Sequence, residues 1–343
     1  MIGGESTCFI LGAGFSRDAG LPLSYDFLEK MEYVRPLYVL GKTLPVLNVP
    51  IDELFRFREA RKDLFSHDVL NNIEVLLSLV SARNLGNISS RGFTRFQMQI
   101  AISQTIAYYV HNANNNSYLH KFVDGLSRSA KSSIITLNYD DLIERACESN
   151  STPYSLGIAR RAFGGVFDID CSMYIGNMLD IDERVSSLPI YKLHGSCNWM
   201  ACQDKNVTVI SDMQEFFVNG DFWDTSGWNK YNLIMEPPTI DKMYAGRILS
   251  AIWGKAYDSI RQASRLVVIG YSFPENDGYV KYLFMASVAD NHVLKEALFV
   301  EPQCDGNYRA RIKWLIDLLK AKGVEITFCC QTAEKWVNSY FEV

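Results

Sequence analysis

Four short apolar runs punctuate the chain, Thr7 to Leu11, Ser133 to Leu137, Leu266 to Ile269 and Ala297 to Val300, and each gives way at once to glycine or polar residues. Continuous runs of this length, without polar alternation, belong to strands covered on both faces, so they predict a parallel sheet. Ile190 to Leu193 and Val324 to Cys329 extend the set. The second follows RIKWLIDLLKAKG, whose apolar positions recur at helical spacing and whose Gly323 supplies a C-terminal stop. Strands alternating with helices predict a doubly wound α/β sheet.

Residues 26 to 130 carry a different pattern. Stretches such as VLNNIEVLLSLVSAR and FQMQIAISQTIAYYVHN have helical periodicity, and the segment is too long for a single crossover helix. It predicts a helical insertion that caps the sheet and forms one wall of a ligand cleft. Asn72 and Glu74 interrupt an otherwise apolar helix pattern, and either reach the cleft or bond to another helix. Residues 197 to 262 form a second insertion, rich in Trp, Tyr, Asn and Asp and interrupted by Pro237 and Pro238, whose fold the pattern does not fix. Its Trp199, Trp223, Trp228 and Trp253 make either a lid or a core of their own. The sheet domain is left with residues 1–25, 131–196 and 263–343.

Composition narrows the function classes. The 343-residue chain is 48% hydrophobic with a formal net charge of −5, which disfavours nucleic-acid binding as a main activity because phosphate neutralisation needs a basic surface. No window approaches the roughly 18 consecutive apolar residues of a membrane span. The first strand begins almost at the N-terminus, leaving no room for a targeting leader, so the expected location is the cytoplasm. Eight cysteines, at 8, 147, 171, 197, 202, 304, 329 and 330, lack C-x-x-C spacing and read as reduced thiols. Cys197 and Cys202 would need two further ligands to hold zinc, and none is obvious nearby, so no metal is expected.

In an open parallel sheet, ligands bind beyond the carboxyl ends of the strands, which makes the residues after each apolar run the informative ones. The first run ends in Gly12-Ala13-Gly14-Phe15-Ser16, a glycine turn leading into a helix. Such a turn brings backbone N–H groups and a helix N-terminus to a nucleotide's pyrophosphate, with Ser16 as a hydroxyl donor or a helix cap. The same turn also occurs in α/β proteins that bind nothing there. The second run gives Thr136-Leu137-Asn138-Tyr139-Asp140, and the next gives Leu193-His194-Gly195. Gly270-Tyr271-Ser272 and Glu301-Pro302 complete five clusters on one edge. Asn138 either holds a turn or presents a fixed dipole. His194 is either a bonded core histidine or a base, and Asp140 either caps the next helix or orients the site. Tyr139, Tyr271 and Phe273 read as packing residues.

GAGFS, TLNYD, LHG, GYS and VEP, in this order over almost the whole chain, resemble the Sir2 superfamily. The likeness is to the Sir2-like NADase domains of bacterial antiphage defence proteins, of the HerA-linked, Thoeris and short-Argonaute-associated types. The resemblance implies a Rossmann-like sheet with an inserted module and NAD+ as substrate. It places Asn138 and His194 as catalytic, with Asp140 beside them. Gly12, Ala13, Gly14 and Ser16 fall near the pyrophosphate, Gly270, Ser272 and Glu301 nearer the adenosine half, and Thr136 is counted with the cofactor-binding residues. Deacylases of the superfamily continue the first motif as G-I-P-D-F-R and carry a four-cysteine zinc ribbon. Here the chain reads Gly20-Leu21-Pro22-Leu23-Ser24-Tyr25 and has no ribbon, so an acyl-lysine tunnel is not expected.

The defence-type resemblance instead implies hydrolysis of NAD+ to nicotinamide and ADP-ribose. It also implies control by homo-oligomerisation or by a separately encoded partner, a HerA-type ATPase or a short Argonaute-like protein. The residue types suit this chemistry: nicotinamide departs neutral from a cationic pyridinium, so only the developing sugar cation and the attacking water need help. An amide carbonyl on Asn138 serves the first and a neutral imidazole on His194 the second. Two other readings remain open: a module that holds NAD+ or ADP-ribose without turnover, and a deacylase or ADP-ribosyltransferase.

Overall fold

The apolar runs assemble into one sheet. In the computed structural model, which describes residues 6–39, 48–84, 95–114, 116–128, 131–157, 187–202, 207–219, 231–238, 247–275 and 277–342, the strands are β1 (Thr7–Leu11), β2 (Ser132–Thr136), β3 (Tyr154–Ser155), β4 (Leu188–Lys192), β5 (Gly195–Cys202), β6 (Val207–Val209), β7 (Tyr231–Met235), β8 (Arg265–Ile269), β9 (Glu296–Val300) and β10 (Glu325–Cys329). Seven of them form a sheet in the order β10-β9-β8-β1-β2-β4-β3, and every pair in it is parallel. The chain leaves β1 toward β2 and β4, then returns to its other side for β8, β9 and β10. The fold is a Rossmann-like doubly wound sheet whose direction of winding reverses between β1 and β8, the place where such sheets offer a crevice.

Burial explains why β1 reads as an unbroken apolar run: all five of its residues are buried. The helices are α1 (Ala13–Arg17), α2 (Phe27–Val39), α3 (Asn48–Glu59), α4 (His67–Asn71), α5 (Ile73–Asn84), α6 (Arg95–His111), α7 (Ser117–Ser127), α8 (Leu142–Ser149), α9 (Met213–Asn219), α10 (Arg247–Gln262), α11 (Gly278–Ala289), α12 (Gly306–Arg311), α13 (Lys313–Ala321) and α14 (Ala333–Tyr340). The last helix between β1 and β2, α7, lies on the sheet itself. Its Phe122 ring sits 5.4 Å from Phe9 and 5.0 Å from Phe15, and the Tyr118 hydroxyl donates to the Phe15 carbonyl at 2.6 Å. No helix among the described residues is long and apolar enough to cross a membrane.

Three expectations are refined here. The helix expected across Asn72 is broken there, because the Asn72 side-chain oxygen accepts from the backbone N–H of Glu74 at 2.9 Å and of Val75 at 3.4 Å, capping α5. The polar interruption is thus a helix boundary. The second insertion, unreadable in sequence, contains an antiparallel sheet in the order β6-β5-β7. Met200, Phe216, Phe217 and Leu233 there share a small core with Val34, Ile100 and Ala107 of the helical segment. Trp199 is fully buried in the main core, whereas Trp223 and Trp228 lie outside the described residues.

The reading of all cysteines as reduced thiols is corrected for one pair, since Cys304 and Cys330 form a disulfide. In-register parallel pairing of β9 and β10 sets Val300 beside Cys329, so loop residues just past the two strand ends are neighbours, and the Cα atoms of the pair stand 5.4 Å apart. A separation of 26 residues hid this from the spacing pattern.

Candidate active site at the strand ends

Strand register decides which loops meet. Leu11 pairs with Thr136 on one side and Ile269 on the other; Thr136 pairs with Lys192, and Ile269 with Val300. These residues form one row across the sheet. Gly12, Leu137, Leu193, Gly270 and Glu301 come immediately after it, and Asn138 and His194 come two residues after it on neighbouring strands. Adjacent strands run about 4.8 Å apart, so the loops bearing Asn138 and His194 lie side by side. Leu193 N–H donates to the Thr136 carbonyl at 3.0 Å, Cys197 N–H to the Tyr139 carbonyl at 2.9 Å, and the Tyr139 and His194 rings are 6.1 Å apart.

The glycines of the first loop serve a backbone crossing. Gly12 N–H donates to the Ile269 carbonyl at 3.0 Å and Gly14 N–H to the Gly270 carbonyl at 2.9 Å. Two N–H groups that the sequence aims at phosphate are therefore already used within the protein. The helix that follows, α1, spans five residues, so its dipole is that of little more than one turn. A Cβ on Gly12 would lie 2.5 Å from the Gly270 carbonyl oxygen, and one on Gly270, at φ +62, would lie 2.4 Å from Gly14 C and Phe15 N. We expect Gly270→Ala to cost at least about 2 kcal/mol, from the left-handed backbone and the displaced loop together, read as a lowered midpoint in chemical denaturation.

Asn138 is oriented by its amide nitrogen, which donates to the Gly12 carbonyl and to Ser16 Oγ, both at 3.0 Å; its backbone N–H donates to Thr136 Oγ1 at 3.1 Å. With Nδ2 committed, the carboxamide oxygen is the end left for a ligand. Thr136 thus has a local role, bracing the Asn138 loop. Ser16 is buried and joins Asn138 to Asp140, whose own Oδ1 accepts from Leu142 N–H at 3.3 Å. Burial pushes the Asp140 carboxyl above its usual range, while Lys192 and the Ser16 hydroxyl pull the other way.

Beneath this lies a charge cluster that no motif announced. Lys192, 1% exposed at the end of β4, pairs with Glu144 Oε1 at 2.9 Å and donates to the Asp140 backbone carbonyl. Burial alone would lower the lysine's pKa, but Glu144 and Asp140 outweigh it and hold it above the ordinary value. Glu144 is raised by burial. Asp141 pairs with Arg145 at 3.0 Å beside it. The one signal in sequence is a lysine directly after an apolar run, in IYKLHG.

His194 is buried, and its carbonyl accepts from Glu236 N–H at 2.8 Å, while Trp253 Nε1 donates to the Leu193 carbonyl at 2.8 Å. Gly195 after it sits at φ +73 with a would-be Cβ 2.1 Å from the Ile234 carbonyl, so glycine is required where the chain turns into β5. Asp277, at the start of α11, brings Oδ1 to 3.8 Å from His194 Nε2. Ser272 and Glu301 lie farther along the row: the Ser272 carbonyl accepts from Arg311 at 3.1 Å, and Glu301, raised by burial, is drawn down by Arg311 and Arg17. No described contact joins that pair to Asn138 or His194. Among the described residues, no three His, Cys, Asp or Glu side chains are placed to hold a metal.

Comparison with known proteins gives three findings. No curated protein matches the sequence. Solved structures that match include Sir2Tm bound to a propionylated peptide, at 12% identity and a TM-score of 0.44 over 98% of this chain and 92% of that one. A mutant Sir2 homologue in complex with 2'-O-acetyl ADP-ribose matches at 13% identity and a TM-score of 0.49, over 98% and 90%. The profile of the SIR2-like domain matches residues 132–326, which hold Asn138, Asp140, Lys192, His194 and Asp277 and make up more than half of the chain; the protein belongs to the SIR2-like domain family.

Proposed function

We propose that the protein is an NAD+ hydrolase that breaks the bond between nicotinamide and ribose and releases ADP-ribose. The observation that carries this reading is the fixed carboxamide of Asn138, whose nitrogen is held by Gly12 and Ser16 while its oxygen is left over, next to the strand end that bears His194. In the reaction the C1'–N bond breaks with its electron pair going to the pyridine nitrogen. Asn138 Oδ1 stabilises the sugar cation that develops and orients water. The water oxygen bonds to C1', and His194 accepts its proton and returns it to solvent. Asp140 acts through Ser16 as a positioning residue. The Gly12 to Ser16 loop faces the diphosphate with groups other than the Gly12 and Gly14 N–H, Thr136 contributes by bracing the Asn138 loop, and Gly270, Ser272 and Glu301 lie toward the adenosine, with Arg311 and Arg17 acting electrostatically on Glu301.

In this reading residues 1–25, 131–196 and 263–343 are the nucleotide-binding core, with insertions at 26–130 and 197–262. The biological role is depletion of NAD+ as the effector of an antiphage defence system, gated by assembly of copies or by a HerA-type ATPase or short Argonaute-like partner. Incubating the pure protein with NAD+ and resolving products chromatographically, with and without co-expressed neighbouring genes, tests both parts. Equimolar nicotinamide and ADP-ribose are expected, with the rate rising on assembly. Acylated or protein-linked ADP-ribose as the main product would refute hydrolysis, and full activity as a lone monomer would refute gating.

A further inference from the structure

Asp277 stands outside the five residue clusters at the strand ends. Asp277 is the N-cap residue of α11, yet its carboxylate makes no capping hydrogen bond, although aspartate is among the best residues for that duty. Oδ2 instead accepts from the Tyr271 hydroxyl at 2.9 Å, and Oδ1 stands 3.8 Å from His194 Nε2. The histidine and aspartate side chains are only 5% and 9% exposed, so their charges are poorly screened by water.

The loop that delivers Asp277 is built for the purpose. Gly270 at φ +62 and Phe273 at φ +52 both adopt left-handed backbone, and the second is unusual for a residue with a side chain. Phe273 is held there by packing against Tyr271 at 4.4 Å, Phe284 at 5.4 Å and Trp314 at 6.0 Å. Tyr271 is anchored in turn, since the Tyr308 hydroxyl donates to its carbonyl at 3.2 Å. Strain that persists in a packed loop beside a catalytic group calls for a functional reason.

We propose that Asp277 is the positioning residue of His194: its carboxylate, clamped by Tyr271, holds the imidazole and stabilises the imidazolium formed when His194 accepts the proton of the attacking water. At 3.8 Å the contact is an ion-pair distance rather than a hydrogen bond, and such contacts tighten when substrate closes the site. Asp277 stays ionised throughout, and the proton returns from His194 to solvent. Other ionisable residues in the elements packed around His194 are Tyr139 after β2, Glu236 after β7 and Lys192 on β4. Lys192 is already paired with Glu144. The catalytic part of the inference rests on the hydrolase reading, whereas the coupling between Asp277 and His194 does not.

The test uses the full chain with Asp277→Asn, Asp277→Glu and Tyr271→Phe. Proton NMR of the imidazole C2–H resonances follows the five histidines through pH without any substrate, with His194 assigned by its loss in His194→Gln. Asp277→Asn is expected to lower the His194 pKa by about one unit or more, and Tyr271→Phe by less, while His67, His111, His120 and His292 stay put. In turnover, Asp277→Asn is expected to reduce kcat about tenfold or more with KM for NAD+ little changed and the acid limb of the pH profile moved to lower pH; Asp277→Glu restores part of it. A fall in rate with no change in His194 titration would leave Asp277 with no hold on His194 and overturn the proposal. If Asp277→Asn does not fold, an unmoved His194 pKa in Tyr271→Phe does the same. A moved pKa in a protein that releases no nicotinamide under any condition would sink the hydrolase reading and leave the coupling standing.

Discussion

Asn138→Ala is expected to slow nicotinamide release by at least about 100-fold while leaving the protein folded, the scale seen when a preorganised dipole is removed from a developing charge. Two features of the site set that expectation. The amide is fixed in advance by Gly12 and Ser16, so no reorganisation is required when the sugar cation forms. It is also buried, where a dipole acts on charge more strongly than in water. The loss should fall on kcat, because a group that acts on charge absent from the ground state contributes little to substrate binding. Calorimetric titration with NAD+ should accordingly give similar affinities for the two proteins. Single-turnover release within tenfold of the wild type would remove Asn138 from the chemistry. His194→Ala should fall comparably, and a variant that lost NAD+ affinity in step with rate would point to a purely structural amide.

Much of the site was legible because parallel strands place it by register. Once Leu11, Thr136, Lys192, Ile269 and Val300 stand in one row, every residue just past an apolar run arrives at the same edge, and apolar runs are visible in sequence. Asn138 and His194 were singled out that way, and the register sets their loops side by side. The glycines were found for only part of the right reason: Gly12, Gly14 and Gly270 let two loops pass within backbone contact, a tertiary fact that a local motif does not contain. Asp277 and Glu144 were missed because each looks locally like an ordinary helix residue, one at a cap position and one in a first turn. Their meaning comes from what lies across from them. The second insertion was unreadable because short strands with mixed polar residues carry no strong period, and its sheet is held by a core shared with helices from a distant part of the chain.

Lys192→Met should cost about 3–5 kcal/mol at neutral pH, the largest loss of stability we expect from any single substitution near the site. The side chain is of similar length, so packing is nearly preserved and the loss is electrostatic. Without the ammonium, the buried carboxyls of Asp140 and Glu144 both lose the cation that acts on them; Arg145 is already engaged with Asp141. Both carboxyls sit above their ordinary pKa because burial disfavours the charged form, and Lys192 is the foremost influence opposing this. A carboxyl whose folded pKa exceeds its unfolded value, about 4, binds a proton more tightly when folded; the stability this confers is complete below that value and is lost as pH rises through the folded pKa. Removing Lys192 raises the folded values further, so the deficit of the variant should be small near pH 4 and grow toward pH 7.5. Urea denaturation at the two pH values reads this directly. Equal deficits at both would mean that the lysine acts through its packing and not its charge. Adding Glu144→Gln should recover part of the lost stability, since it removes one of the stranded charges. If the double variant regains its fold but not its turnover, the remaining defect lies with Asp140, because a carboxyl that keeps its proton can no longer accept from Ser16 as a carboxylate, and Ser16 is what holds the Asn138 amide in place.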